Sequence, residues 1–208
     1  MSRSGKAPRG ATESSQKRSA TLDRLEPGEA QSVLGRLLAA HPDLEAEAEQ
    51  IAESLLCEIS FETVAYDVED AVRSVDLDDL DSRAGRHSWG YTSPDEAASE
   101  LLQEAVNPTL EKMKRLLDLG LDAEALEVCK GLLLGLYGFR DAKAHEVLGW
   151  AAEFPAETAA DAAATWYAAS RTRRKTGRRE SAQLLREFIR ESTPEWAEFL
   201  ERVLSRFR

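Results

Sequence analysis

Four acidic residues within six positions, Asp76, Asp78, Asp79 and Asp81, form the first grouping in the chain whose types could do chemistry. Calcium takes oxygen ligands at alternating positions. A loop of the EF-hand kind adds a glycine at its sixth position for the sharp turn and a glutamate at its twelfth to close the cage. Counting from Asp76, position five is Leu80, position six is Asp81 and position twelve is His87. The calcium reading fails at all three, and the run is expected to be a solvated loop. The histidines, His41, His87 and His145, are scattered one to each third of the chain, with no second His or Cys at ligand spacing. Glu146 follows His145, but Gly149 stands where a His-Glu-x-x-His helix needs its second histidine, so no metal site is expected. Cys57 and Cys129 lie 72 positions apart without a CxxC, which reads as two small packing residues in a reducing, cytoplasmic compartment. No Gly-x-Ser-x-Gly elbow, dinucleotide fingerprint or phosphate-binding loop occurs. The expectation is therefore no catalytic residue and no cofactor.

Two groupings suit recognition better than catalysis. Arg171, Arg173, Arg174, Lys175, Arg178 and Arg179 form a basic cluster that suits a phosphate backbone or an acidic protein surface. The same cations also suit the last turn of a helix ended by Gly177, where they meet the negative end of its dipole. No aromatic residue interleaves them, which argues against stacking on single-stranded bases. Arg86, Trp89 and Tyr91 sit in the longest connection between helices and belong to the residue types that anchor interfaces. They would equally serve to plug the end of a helix array.

The elements that must carry these residues read as helices throughout. Apolar side chains recur at helical spacing in about 27–40, 44–59, 60–75, 94–119, 122–137, 142–154, 156–175, 179–191 and 193–204. Pro42, Gly120, Gly138, Pro155, Gly177 and Pro194 punctuate them, and Asn107-Pro108 is expected to kink or split the fourth. Asp43, Ser93 and Asp122 are positioned to cap. Gly131 and Gly135 weaken the fifth helix unless a neighbour comes close there. Residues 76–93 read as irregular, and no strand is expected. The fold class is all-α, with about eight or nine helices in antiparallel hairpins.

The 208 residues carry a net charge of −11, with 42% hydrophobic and 31% charged residues. The charge is segregated. Residues 1–24 carry net +4, residues 25–170 net −20 and residues 171–208 net +5. The middle repels nucleic acid and anionic lipid, and only the ends attract them. Residues 1–24 lack the apolar side chains to offset their ordering entropy, and are expected to be a disordered basic tail before a single domain at 25–208. No apolar run is long enough to span a bilayer.

Within this pattern, Leu110 to Leu136 forms two apolar helices joined by Leu119-Gly120-Leu121-Asp122, with Gly120 and Ala125 five apart. This unit resembles tetratricopeptide repeats in the turn glycine and the small crossing residue. The whole resembles bacterial helical-repeat proteins of the tetratricopeptide or HEAT kind. The resemblance implies a non-enzymatic scaffold or adaptor that offers a groove to a protein partner. Arg86, Trp89, Tyr91 and the 171–179 cluster are its expected surface. The alternative is an anion- or nucleic-acid-associated protein that uses the two basic ends.

Overall fold

The computed structural model describes residues 21–88, 90–141, 143, 145–173 and 178–206, with side chains at all of these except 53, 55, 57, 87, 171–173, 178 and 179. The expected disorder of the tail therefore falls almost wholly outside the described residues. The chain is all-α, with nine α-helices and one small β-hairpin among the described residues. It divides into two units, Met1–Leu55 and Leu56–Arg208, where the sequence alone suggests one domain from residue 25.

The first unit holds two helices joined by a short 3₁₀ turn. Helix α1 (Pro27–Ala40) opens with Pro27 in its first turn and a capping box in which the Glu26 N–H donates to Glu29 Oε2 at 3.0 Å. It ends at His41, before Pro42. Asp43 does not cap the next helix as expected. It lies inside a 3₁₀ turn, Pro42–Leu44, that leads directly into α2 (Glu45–Cys57). No residue of α1 is buried.

The second unit is built around one helix. Its elements are α3 (Phe61–Arg73), α4 (Leu77–Arg83), β1 (Gly85–His87), β2 (Gly90–Thr92), α5 (Pro94–Leu119), α6 (Asp122–Tyr137), α7 (Phe154–Arg173), α8 (Arg178–Ser192) and α9 (Ala197–Ser205). Helix α6 buries nine residues, from Ala125 to Leu136, because α3, α5, α7 and α8 all pack on it. A helix enclosed on several sides is apolar nearly all round, as the sequence of α6 is. The two glycines of α6 are where α3 presses closest. A Cβ at Gly135 would stand 2.6 Å from the Ala65 carbonyl, and one at Gly131 would stand 2.8 Å from the Phe61 carbonyl. Ala159, Ala160, Ala162 and Ala163 give α7 a similarly thin buried face. Phe61 and Phe188 meet edge to face, with ring centroids 5.2 Å apart, and so join α3 to α8. Buried Thr193 Oγ1 donates to the Ile189 carbonyl at 2.9 Å, closing the end of α8.

Several local expectations are corrected. Residues 76–93 are not irregular: they hold α4 and an antiparallel hairpin in the register Gly85↔Thr92, Arg86↔Tyr91, His87↔Gly90. Three-residue strands are too short to show an alternating pattern, and Gly85 (φ +108°) supplies the backbone turn into the first. The acidic run is not a solvated loop either. Asp79 N–H donates to Asp76 Oδ1 at 2.9 Å, and Asp76 N–H donates to Asp79 Oδ2 at 3.2 Å, a reciprocal cap on α4. Helix α5 runs unbroken through Asn107-Pro108. Val106 and Leu110 are buried on either side of the proline, and that packing outweighs the lost backbone hydrogen bond. Of the helix expected over 142–154, the described residues 143 and 145–153 form turns with a 3₁₀ segment at Val147–Gly149, and Phe154 already belongs to α7. Pro155 does not stop a helix there. It stands in the first turn of α7, where its missing N–H has no partner to lose.

Candidate protein-binding cleft

A concavity of the second unit runs between α5 and α7. Ser93 caps α5, its Oγ accepting from the Glu96 N–H at 3.4 Å. The same hydroxyl hydrogen-bonds the Asp95 carboxyl and holds it below the usual aspartate range. From that cap, α5 presents Asp95, Glu96, Glu100 and Glu104 to the cleft, and α7 presents Glu157 and Asp161. The turn before α7 closes one end with Trp150 and Glu153. The basin is about 780 Å³. A second basin of about 420 Å³ shares Gln103, Thr158 and Asp161 with it and carries the groove on to Lys114. From Asp95 to Lys114 the wall is about 28 Å long at 1.5 Å per helical residue.

The spacing of the acids is regular. Glu96, Glu100 and Glu104 are four residues apart on one helix, and Glu153, Glu157 and Asp161 are four apart on the other side. Each step is about 6 Å along the axis. Asp95, Glu96 and Glu157 lie in first turns, where the helix dipole favours them. Glu100, Glu104 and Asp161 lie beyond that reach, and like charges at i, i+4 cost a helix about 0.2–0.5 kcal/mol per pair. Part of the load is relieved at one edge. Arg83 of α4 donates to both Glu104 oxygens, at 2.6 and 3.0 Å, and lies 3.7 Å from Glu100. That fork holds the Glu104 carboxyl below the usual glutamate range and raises the Arg83 guanidinium. Among the described residues, no cation lines the larger basin, and no three His, Cys, Asp or Glu side chains converge as a metal cage. The acids are strung out along two walls, an arrangement for an extended polycation rather than a point charge. Trp150, 53% exposed, adds an aromatic face at the mouth.

The residues expected to form a surface are only partly placed. Arg86 and Tyr91 face each other as Cα partners on the β-hairpin, both exposed, Tyr91 by 69%. Neither lines this cleft. Trp89, between the strands, lies outside the described residues, as do Arg174 and Lys175. Arg171 and Arg173 fall in the last turn of α7, where cations complement the dipole. Arg178 and Arg179 instead open α8, the positive end of a helix, so the dipole accounts for only part of the cluster. Trp150 and the two acidic rows are the features that motif reading passes over. Their signal was the net −20 of residues 25–170 together with the four-residue spacing. Cys129 is fully buried and its thiol is pushed up to about 12, which removes it as a nucleophile near neutral pH.

No helix among the described residues is long and apolar enough to cross a membrane. No protein-family model matches the chain, and neither a curated protein nor a solved structure matches it.

Proposed function

We propose that this chain is a non-enzymatic protein–protein interaction module of the cytoplasm, and that the α5–α7 cleft receives a lysine- or arginine-rich segment of a partner protein. The observation that carries the reading is the double row of seven carboxylates, with no cation among the described residues lining the basin they share, beside a half-exposed tryptophan. Opposed charge steers such a partner and fixes its register, and Trp150 offers a cation–π contact to one of its side chains. An extended chain repeats every second side chain at about 6.6 Å, close to the pitch of the acidic rows. The helix–turn–helix around Gly120, with Gly120 left-handed (φ +79°) and Ala125 buried, keeps α5 fixed on α6 behind the cleft. It supports the helical-repeat resemblance in local geometry.

The test is a fluorescein-labelled peptide of six alternating lysine and serine pairs, titrated with the full chain and followed by anisotropy. Binding that weakens with added salt, and is lost in Glu100→Lys/Glu157→Lys/Asp161→Lys and reduced in Trp150→Ala, supports the reading. Binding indifferent to those substitutions contradicts it. Tighter binding of a labelled single-stranded oligonucleotide than of the peptide would transfer the weight to the basic ends.

A further inference from the structure

The second basin of the cleft, about 420 Å³, differs in chemistry from the first. Its two charged lining residues, Asp161 and Lys114, are of opposite sign, and Lys114 Nζ already lies 2.8 Å from Glu111 Oε1. Charge therefore gives this basin little hold on a polycation. The rest of its polar lining is neutral: Gln103 and Asn107 on α5, and Thr158 and Thr165 on α7. Thr158 is only 6% exposed, and its hydroxyl makes no hydrogen bond among the described residues. A polar group buried this deeply is normally satisfied, so a hydroxyl left open at the wall of both basins calls for a partner from outside. We infer that the second basin grips the main chain of the basic segment, which lies along α5 as an extended strand. This rests on the reading of the cleft as the receptor of such a segment, and adds how the segment is held.

The spacing of the two amides supports a main-chain ligand. Gln103 and Asn107 stand four residues apart, about 6 Å along the axis of α5. An extended chain turns the N–H and C=O of every second residue to the same edge, at a repeat of about 6.6 Å. A side-chain amide carries both donors and an acceptor, so each can pair with the N–H and C=O of one residue. Two amides at this pitch match two successive residues of one edge. Both side chains are exposed, and neither amide is hydrogen-bonded among the described residues. On the α7 wall, half-buried Ala164 and Ala168 are short enough to let a main chain come close. Gln103, Thr158 and Asp161 line both basins, so a segment that covers the acidic rows runs on into the second. Charge in the first basin attracts the segment, and hydrogen bonds in the second set its register.

The test compares the lysine–serine peptide with an analogue in which every backbone amide N–H is replaced by an ester oxygen, at unchanged charge. Both are titrated with the full chain and followed by anisotropy. The analogue binds about tenfold more weakly, the loss of one to two hydrogen bonds. In Gln103→Ala/Asn107→Ala the two ligands bind within about twofold of each other, because the N–H groups have lost their acceptors. Both residues are exposed and alanine favours a helix, so the fold stands. Thr158→Val keeps the shape of the side chain and also narrows the gap. Equal binding of peptide and analogue by the parent chain overturns the inference and leaves the proposed function standing. A gap that persists undiminished in both variants overturns it as well. A peptide that the parent chain does not bind at all removes the proposed function, and this inference with it.

Discussion

Replacing Gly135 with alanine sets two effects against each other, and the structure decides the sign. Gly135 lies inside α6, where alanine is intrinsically better by about 1 kcal/mol. The new Cβ, however, would stand 2.6 Å from the Ala65 carbonyl oxygen and 2.9 Å from Val68 Cβ. Neither neighbour can swing away. One is helical backbone, and the other is the branch point of a stiff, buried side chain, Val68 at 1% exposure. Carbon and oxygen need more than 3 Å, so α3 must move off α6 and loosen the packing around Val64, Val68 and Leu132. Overpacking of this kind costs about 1–3 kcal/mol and sometimes more. Backbone on one side places it at the upper end, so the net loss is about 2 kcal/mol after the helix-propensity gain is set against it. For a unit of this size that lowers Tm by about 4–8 °C. Differential scanning calorimetry of Gly135→Ala reads the shift. Gly149→Ala is the control, because nothing stands within 4 Å of a Cβ there, and it should melt within about 2 °C of the parent. A rise in Tm for Gly135→Ala would refute the close crossing of α3 and α6.

Other outcomes follow from single contacts. The Glu104 carboxyl is depressed by its fork to Arg83, so the stability it adds is present above the unfolded value near 4.5 and is lost as pH falls through the folded value. A carboxyl-carbon NMR titration should show Glu104 titrating below the usual glutamate range in the parent and moving up in Arg83→Gln. Cys129, with its thiol near 12 and its side chain buried, should resist iodoacetamide at pH 8 in the native Cys57→Ser chain and react within minutes in guanidinium, counted by mass spectrometry. Thr193→Val keeps the shape but removes the Oγ1 hydrogen bond to the Ile189 carbonyl. That carbonyl still accepts the Thr193 N–H at 3.0 Å, so the loss in urea unfolding should be only about 1 kcal/mol.

Most helices were legible because their apolar periodicity is strong, and Gly131 and Gly135 pointed to a close neighbour on α6, though not to its central place. What misled was punctuation. Pro108 reads as a breaker by local rules, yet burial of Val106 and Leu110 holds α5 together across it. Pro155 looked like a stop because the alanine-rich stretch after it and the residues before it both scan as helix, and only tertiary structure shows which side the helix lies on. The Asp76–Asp79 pair carried the spacing of a reciprocal cap, but carboxylates in a row were weighed as ligands and then as loop. The cleft was the least legible feature. Its two walls are separated by all of α6, and nothing in the order of residues says that α5 and α7 lie side by side. Trp150 gains its meaning only from a chain turn that periodicity reads as helix.

The cleft is tested most directly by mapping the lysine–serine peptide onto the isotope-labelled full chain by NMR. Progressive shifts at Glu100, Glu104, Glu157, Asp161 and the Trp150 indole N–H, fading as salt is added, are the predicted result. Shifts that leave those residues untouched, or that gather at Arg86 and Tyr91 instead, would contradict it.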